Sequence, residues 1–200
     1  MGKLILVRHG ESAGNRDRIF AISPHDVPLT ELGYAQASEA GQLIAARFHP
    51  ELVVSSEMLR ASETARVIAD VLGVPLHIEP DLHEREVGAH RGRSYDSLGQ
   101  EPDFDPQRAW AWIPRGGESY EGVQARVGPI LDRLATEHAD KDIVVVSHGG
   151  VMTCLWAYVT GNWEGAYVPP NCGIVLMEHH AQGYGAPLII DGESADHAGG

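Results

Sequence analysis

The sequence predicts an α/β fold, a three-layer α/β/α sandwich with a mostly parallel central sheet and a small irregular cap, on three observations. Continuous apolar runs at residues 4–7, 52–54 and 143–146 have the length of strands buried on both faces. Segments with apolar side chains at helical spacing alternate with them. One long stretch, residues 80–118, has neither pattern.

Taken in order, residues 4–7 form a strand that runs straight into Arg8, and a polar stretch with Gly10, Gly14 and Pro24 follows. Thr30 opens a helix whose apolar side carries Ala37, Ala40, Ile44 and Phe48. After the strand at 52–54, Ser55, Ser56 and Glu57 offer cap-type side chains and an acid for a helix start. Ala61, Ala65, Ile68 and Leu72 repeat at helical spacing until Gly73 and Pro75 stop the element. Residues 76–78 read as a third strand.

Residues 80–118 hold Pro102, Pro106, Pro114, Trp110, Trp112 and five arginines from Arg85 to Arg115, which marks an insertion lying over the body rather than a linker. Val123, Val127, Ile130 and Leu134 mark the next helix, with a kink expected at Pro129. A strand at 143–146, a turn at Ser147-His148-Gly149-Gly150 and a helix over 151–158 follow. Final strands are expected at 174–177 and 188–190. One domain over 1–191 accounts for these elements, and the small, polar residues 192–200 read as a frayed tail.

Composition narrows the function. The 200 residues are enough for one buried core, with 43% hydrophobic and 22% charged residues. A formal charge of −13 argues against a nucleic-acid or anionic-membrane surface, either of which needs a basic patch. Of the 15 basic residues only Lys3 and Lys141 are lysines, and arginines suit bidentate contact with phosphate or carboxylate. No apolar run reaches membrane length and the opening run is too short for a leader, so a cytoplasmic protein is expected. Cys154 and Cys172 read as small core residues without disulfide or metal-ligand spacing.

In open α/β sheets ligands bind beyond the carboxyl ends of the strands. Those ends carry Arg8-His9-Gly10 after the first strand, Ser55 to Arg60 after the second, and His148-Gly149 after Val146, with Glu84 close behind the third. A lone histidine after a strand is more often a hydrogen-bonded structural residue, and Glu84 beside Arg85 and Glu86 could belong to a surface charge cluster. Together the residues suit phosphoryl transfer. Arginines clamp the phosphoryl oxygens, a partly neutral imidazole attacks phosphorus, and an acid protonates the alkoxide that leaves.

The stretch Leu4-Ile5-Leu6-Val7-Arg8-His9-Gly10-Glu11-Ser12, with Asn15 six positions after His9, resembles the histidine phosphatase superfamily. The similarity continues through Pro28-Leu29-Thr30, Gly33, Gln36-Ala37, Ser55-Ser56, Leu59-Arg60-Ala61 and Thr64-Ala65. Leu82, Glu84, Gly116-Gly117-Glu118-Ser119 and Val146-Ser147-His148-Gly149-Gly150 complete it, in the expected order. The branch it resembles contains cofactor-dependent phosphoglycerate mutases and related small phosphatases.

The resemblance implies that His9 is phosphorylated during turnover. Arg8, Arg60 and His148 would form the phosphate pocket, with Asn15 and the Gly149 amide as further donors. Glu84 would protonate the leaving group and later activate water. Neither a metal nor another cofactor is implied, and His179-His180 and His83-Glu84 lack helical ligand spacing.

Three departures from the mutase pattern favour a hydrolase of a small anionic phosphomonoester. Only 64 positions separate Glu84 from His148, Phe20-Ala21-Ile22-Ser23-Pro24 replaces a Phe-Thr-Gly-Trp stretch, and little chain follows the last expected strand. A mutase, or a catalytically weak relative that binds phosphorylated ligands, remains the alternative. In the cap, Gly88-Ala89-His90-Arg91-Gly92 stands where many small phosphatases carry a Gly-x-Trp-Glu-Gly-like turn. Arg91 is therefore expected to meet a second anionic group on the substrate, unless it is a plain surface residue. Trp110 and Trp112 either wall the cleft or pack the insertion against the body. The expected partner is a small phosphomonoester rather than nucleic acid or membrane, with a homodimer as the default assembly.

Overall fold

A computed structural model describes residues 2–190. At the centre of its sheet lies β1 (Lys3–Arg8), between β4 (Asp142–Ser147) and β5 (Ile174–His180). β2 (Pro50–Ser55) and the edge strand β3 (Leu76–Ile78) extend the sheet beyond β4. Beyond β5 lie β6 (Gly183–Tyr184) and β7 (Leu188–Ile190), both paired with it. The β3-β2-β4-β1 half is parallel, whereas β5 runs antiparallel to β1, β6 and β7. The sheet is therefore mixed, with its parallel part where the sequence expects it. The two-residue β6 has no counterpart in the sequence reading, and the tail expected at 192–200 lies outside the described residues.

Alternation along β1 builds both cores. Leu4 and Leu6 face one layer, where α4 (Tyr120–Glu137) and α5 (Gly149–Thr160) supply Val127, Leu131, Val151 and Leu155. Ile5 and Val7 face the other, where α2 (Glu31–Arg47) and α3 (Leu59–Leu72) supply Ala40, Ile44, Ala65 and Ile68. All of these core side chains are buried. Thr30 caps α2 by accepting from the Gly33 N–H at 3.1 Å, and Gly73 ends α3 in the left-handed region at φ 68°. α4 continues through Pro129 to Glu137.

Three local expectations are corrected. Ser55 and Ser56 do not cap α3, whose N-cap is Met58; the Ser56 hydroxyl is 2.9 Å from His148 instead. Gly149 and Gly150 are not a turn but the first residues of α5, reached from β4 through an extended His148. Cys154 is buried as expected, whereas Cys172 is only partly buried and adopts φ 56°. Its N–H donates to the Arg8 carbonyl at 3.0 Å, tying the loop before β5 to the end of β1.

The 80–118 segment forms short 3₁₀ turns at Pro80–Leu82, Gly88–His90, Tyr95–Gln100 and Pro106–Arg108. It is stitched to the loop after the short helix α1 (Ala13–Asp17) by backbone bonds from Phe20 N–H to Arg93 O (2.9 Å) and from Gly92 N–H to Phe20 O (2.7 Å). No helix among the described residues is long and apolar enough to cross a membrane.

Candidate active site

A cavity of about 440 Å³ opens where β1 and β4 end, and Arg8, His9, Asn15, Arg60, Glu84, Tyr95 and Gly149 are among the residues that line it. This is within the usual ~300–1,000 Å³ of small-ligand sites.

His9, buried one residue beyond β1, sets the chemistry. Its Nδ1 is 2.7 Å from the Gly10 carbonyl oxygen, which can only accept, so Nδ1 carries the proton. The Nε2 lone pair accepts from Arg60 Nε–H at 3.1 Å. Burial pushes the His9 pKa well below its ordinary value; the charges of Arg60 and Arg8 act the same way, against the Gly10 carbonyl. His9 is thus neutral at pH 7, with an unprotonated nitrogen beside a guanidinium.

Arg60, in the first turn of α3, is also buried and donates to Pro24 O at 2.7 Å and to Met58 Sδ at 3.4 Å. Burial lowers its pKa, but a guanidinium stays charged at neutral pH. Arg8 donates through Nη1 to Pro169 O at 2.7 Å, while its buried Nε has no partner.

His148 lies fully buried at the start of α5, its ring 5.1 Å from that of His9 and inclined at 62°. Nε2 is 2.9 Å from Ser56 Oγ and Nδ1 is unpartnered. Burial, followed by Arg60 and His9, holds its pKa well down. Unsatisfied buried polar atoms are rare in native proteins, and among the described residues Arg8 Nε and His148 Nδ1 are two of three, the third being Trp112 Nε1 in the 80–118 segment.

Both oxygens of Glu84 accept backbone donors, the Arg85 N–H at 2.8 Å and the Gly150 N–H at 3.0 Å. A Cβ at Gly150 would stand 2.4 Å from Glu84 Oε1, which explains a glycine inside the first turn of a helix. The neighbouring Gly149 N–H is one of the first-turn donors that no intrahelical carbonyl reaches.

Asn15 Oδ1 accepts from Ser12 N–H (3.2 Å), Ser12 Oγ–H (3.0 Å) and Asn171 Nδ2–H (3.3 Å). That orientation turns its Nδ2 to donate to Tyr95 Oη at 3.3 Å.

The structure therefore gathers Arg8, His9, Asn15, Arg60, Glu84, His148 and Gly149, as expected. Arg91 also lines the cavity, but its guanidinium is bonded to the Glu86 carboxylate. The tryptophans do not wall the cleft. Trp112 is buried edge-on against Phe104 (5.2 Å) and His90 (6.0 Å), and Trp110 stacks on Trp163 with centroids 6.2 Å apart. Trp112 thus packs within the insertion, and Trp110 packs the insertion against the body.

Sequence reasoning missed Tyr95, Ser56 and Asn171. Asn171 Nδ2–H donates to the His9 carbonyl at 3.0 Å from 162 residues away, and only the stiff Pro169-Pro170 pair before it hinted at a shaped loop. Among the described residues, no group of three His, Cys, Asp or Glu side chains is arranged to hold a metal ion.

Fold and site together define an α/β protein with a cavity at its strand ends where two histidines and two arginines converge. The chain belongs to the histidine phosphatase superfamily (branch 1), whose model matches residues 4–190. It is similar to the glucosyl-3-phosphoglycerate phosphatase of Mycolicibacterium vanbaalenii, with 30% identity over 92% of this chain and 88% of the relative. The adenosylcobalamin/alpha-ribazole phosphatase of Escherichia coli is 35% identical over 80% of this chain and 79% of its own. A 2,3-bisphosphoglycerate-dependent phosphoglycerate mutase of Lactobacillus johnsonii is 34% identical over 78% of this chain and 81% of its own. Among solved structures, a mycobacterial glucosyl-3-phosphoglycerate phosphatase complexed with VO3 superimposes with a TM-score of 0.81 at 26% identity, covering 94% of this chain and 97% of that one.

Proposed function

We propose that the protein hydrolyses small phosphomonoesters without a metal, through a phosphohistidine at His9. The observation that carries this reading is the buried His9, whose Nε2 lone pair faces Arg60 while Arg8 Nε and His148 Nδ1 stand unpartnered nearby.

A phosphate dianion entering the pocket takes up those donors and draws Arg60 Nε away from His9. Nε2 then attacks phosphorus and the ester P–O bond breaks. Arg8 and Arg60 offset the charge that develops on the equatorial oxygens. The Ser56 hydroxyl donates to His148 Nε2, so that His148 Nδ1–H also serves those oxygens. Protonated Glu84 gives its proton to the leaving alkoxide. The resulting carboxylate removes a proton from water, which attacks the phosphohistidine, restores neutral His9 and releases inorganic phosphate. The named relatives that act on phosphorylated metabolites support this reading.

The test is phosphate release from p-nitrophenyl phosphate and 3-phosphoglycerate in EDTA, with His9→Ala alongside. Release that survives EDTA and falls by about 10⁴-fold or more in the variant is expected, as for loss of a covalent nucleophile. Release abolished by EDTA would overturn the mechanism. The mutase relative supports a second reading, for which the same assay would show isomerisation of 3-phosphoglycerate dependent on a bisphosphate primer and little release.

A further inference from the structure

Five arginines line the cavity, and they differ in what already faces their charge. Arg91 is bonded to Glu86, whose carboxylate also lines the cavity. Arg18 reaches Asp96 at 3.1 Å. Arg85 is buried with its guanidinium 4.2 Å from the Tyr120 ring centroid, and it donates to Glu118 O (2.7 Å) and Trp112 O (3.3 Å). The hydrogen bonds of Arg8 and Arg60 go instead to carbonyls, a thioether and His9, with no carboxylate. Arg8, Arg60 and Arg85 thus have no carboxylate partner, but Arg85 is buried under the Tyr120 ring with its donors taken by carbonyls, so the cation with a free buried donor is Arg8, at the inner end beside His9 and Arg60.

The rest of the wall has a different character. Ile19, Phe20, Val27, Val87, Leu98 and Val168 line it, and Ile19 and Val168 remain 43% and 53% exposed. Large apolar side chains left open on a concave surface mark a place where an apolar ligand group displaces water. A carboxylate placed there would lose hydration, gain no free cation and approach Glu86.

We infer that the site selects phosphomonoesters whose alcohol is uncharged and largely apolar over those whose alcohol carries a carboxylate or a second phosphate. The inference rests on the phosphatase reading above and removes the role expected of Arg91, whose charge Glu86 has already taken. The phosphoryl group is held by Arg8 and Arg60, and the apolar tail lies along the Ile19–Leu98 wall.

The experiment compares kcat/KM for 3-phenylpropyl phosphate and 3-(phosphonooxy)propanoate. Both are esters of primary alcohols, so the reacting bond is closely similar and the tails differ. The phenyl ester is expected to be the better substrate by about tenfold or more, a usual span for discrimination by an apolar pocket. Glu86→Gln, which releases Arg91, is expected to shift the ratio towards the carboxylate ester by about tenfold, as removal of one charge at ~6 Å would. Equal or inverted wild-type preference with both esters cleaved in a His9-dependent way would overturn this inference alone. So would an unchanged ratio in Glu86→Gln. Failure to cleave either ester or p-nitrophenyl phosphate would overturn the phosphatase reading and this inference with it.

Discussion

At the inner end of the cavity His9, Arg60 and His148 hang from a strand end or the start of a helix, whereas Glu84 and the outer end belong to the loops and 3₁₀ turns of residues 80–118. His9 follows β1, His148 links β4 to α5, and Arg60 sits in the first turn of α3. Main-chain oxygens of Gly10, Pro24 and Pro169 hold His9, Arg60 and Arg8 in place. The outer end is held by pairs of side chains, Arg91 to Glu86, Arg18 to Asp96 and Arg93 to Glu101, whose members are 29–71% exposed. Exposed pairs of this kind are worth roughly 0–1 kcal/mol each, and single substitutions redraw them easily. On the proposed function, the chemistry is thus fixed mainly by groups anchored to the sheet and main chain, and substrate choice by a surface that can change without disturbing them.

That division can be tested at three strengths. The largest effect is expected from Arg60→Ala, which removes the proposed phosphate clamp and the partner of His9 Nε2. kcat/KM should fall by about 10³-fold for every phosphomonoester alike. A loss confined to one class of alcohol would break the division. Gly150→Ala comes next. Its new Cβ must displace the Glu84 carboxylate, so kcat should fall by about 10²-fold while the circular dichroism of the folded state is kept. Retained kcat would show that Glu84 tolerates displacement.

The smallest effect is on stability, and it belongs to the inner end. His9 and His148 have folded-state pKa values pushed below 6.5, so they stay neutral while the unfolded chain takes up protons. Their contribution is complete above about pH 6.5 and declines as pH falls towards the folded values, by up to ~1.4 kcal/mol per pH unit for each histidine. Thermal melts should move down between pH 7.5 and 5.5, and His9→Asn should flatten the slope. A wild-type melting temperature unchanged over that interval would contradict the burial of these groups as neutral imidazoles.

The same division governs what could be read from sequence. β1 and β4 are unbroken apolar runs, so the residues just past them, Arg8, His9 and His148, are located as soon as the strands are. Gly149 and Gly150 look like a turn because paired glycines disfavour helices. The approach of Glu84, 66 positions away, explains Gly150 in one, and Val168 and Arg8 crowd the position of Gly149. Ser56 looks like a helix cap, and its other partner His148 is 92 positions distant. Arg91 is visible as a cation, yet its meaning depends on Glu86, and loop geometry decides whether the two meet. Trp110 and Trp112 are visible as large rings, but pattern alone does not separate a wall from a core.

β1 leaves the ribosome well before both of its neighbours in the sheet, residues 142–147 and 174–180. Asn171 and Cys172, which hold the main chain at Arg8 and His9, come only just before β5. At about 5–20 residues per second of translation, His9 waits many seconds for these surroundings. During that time the growing chain carries Arg8 and His9 as an ordinary tripeptide stretch with Gly10, and the pocket comes into existence only once Asn171, Cys172 and β5 have been made.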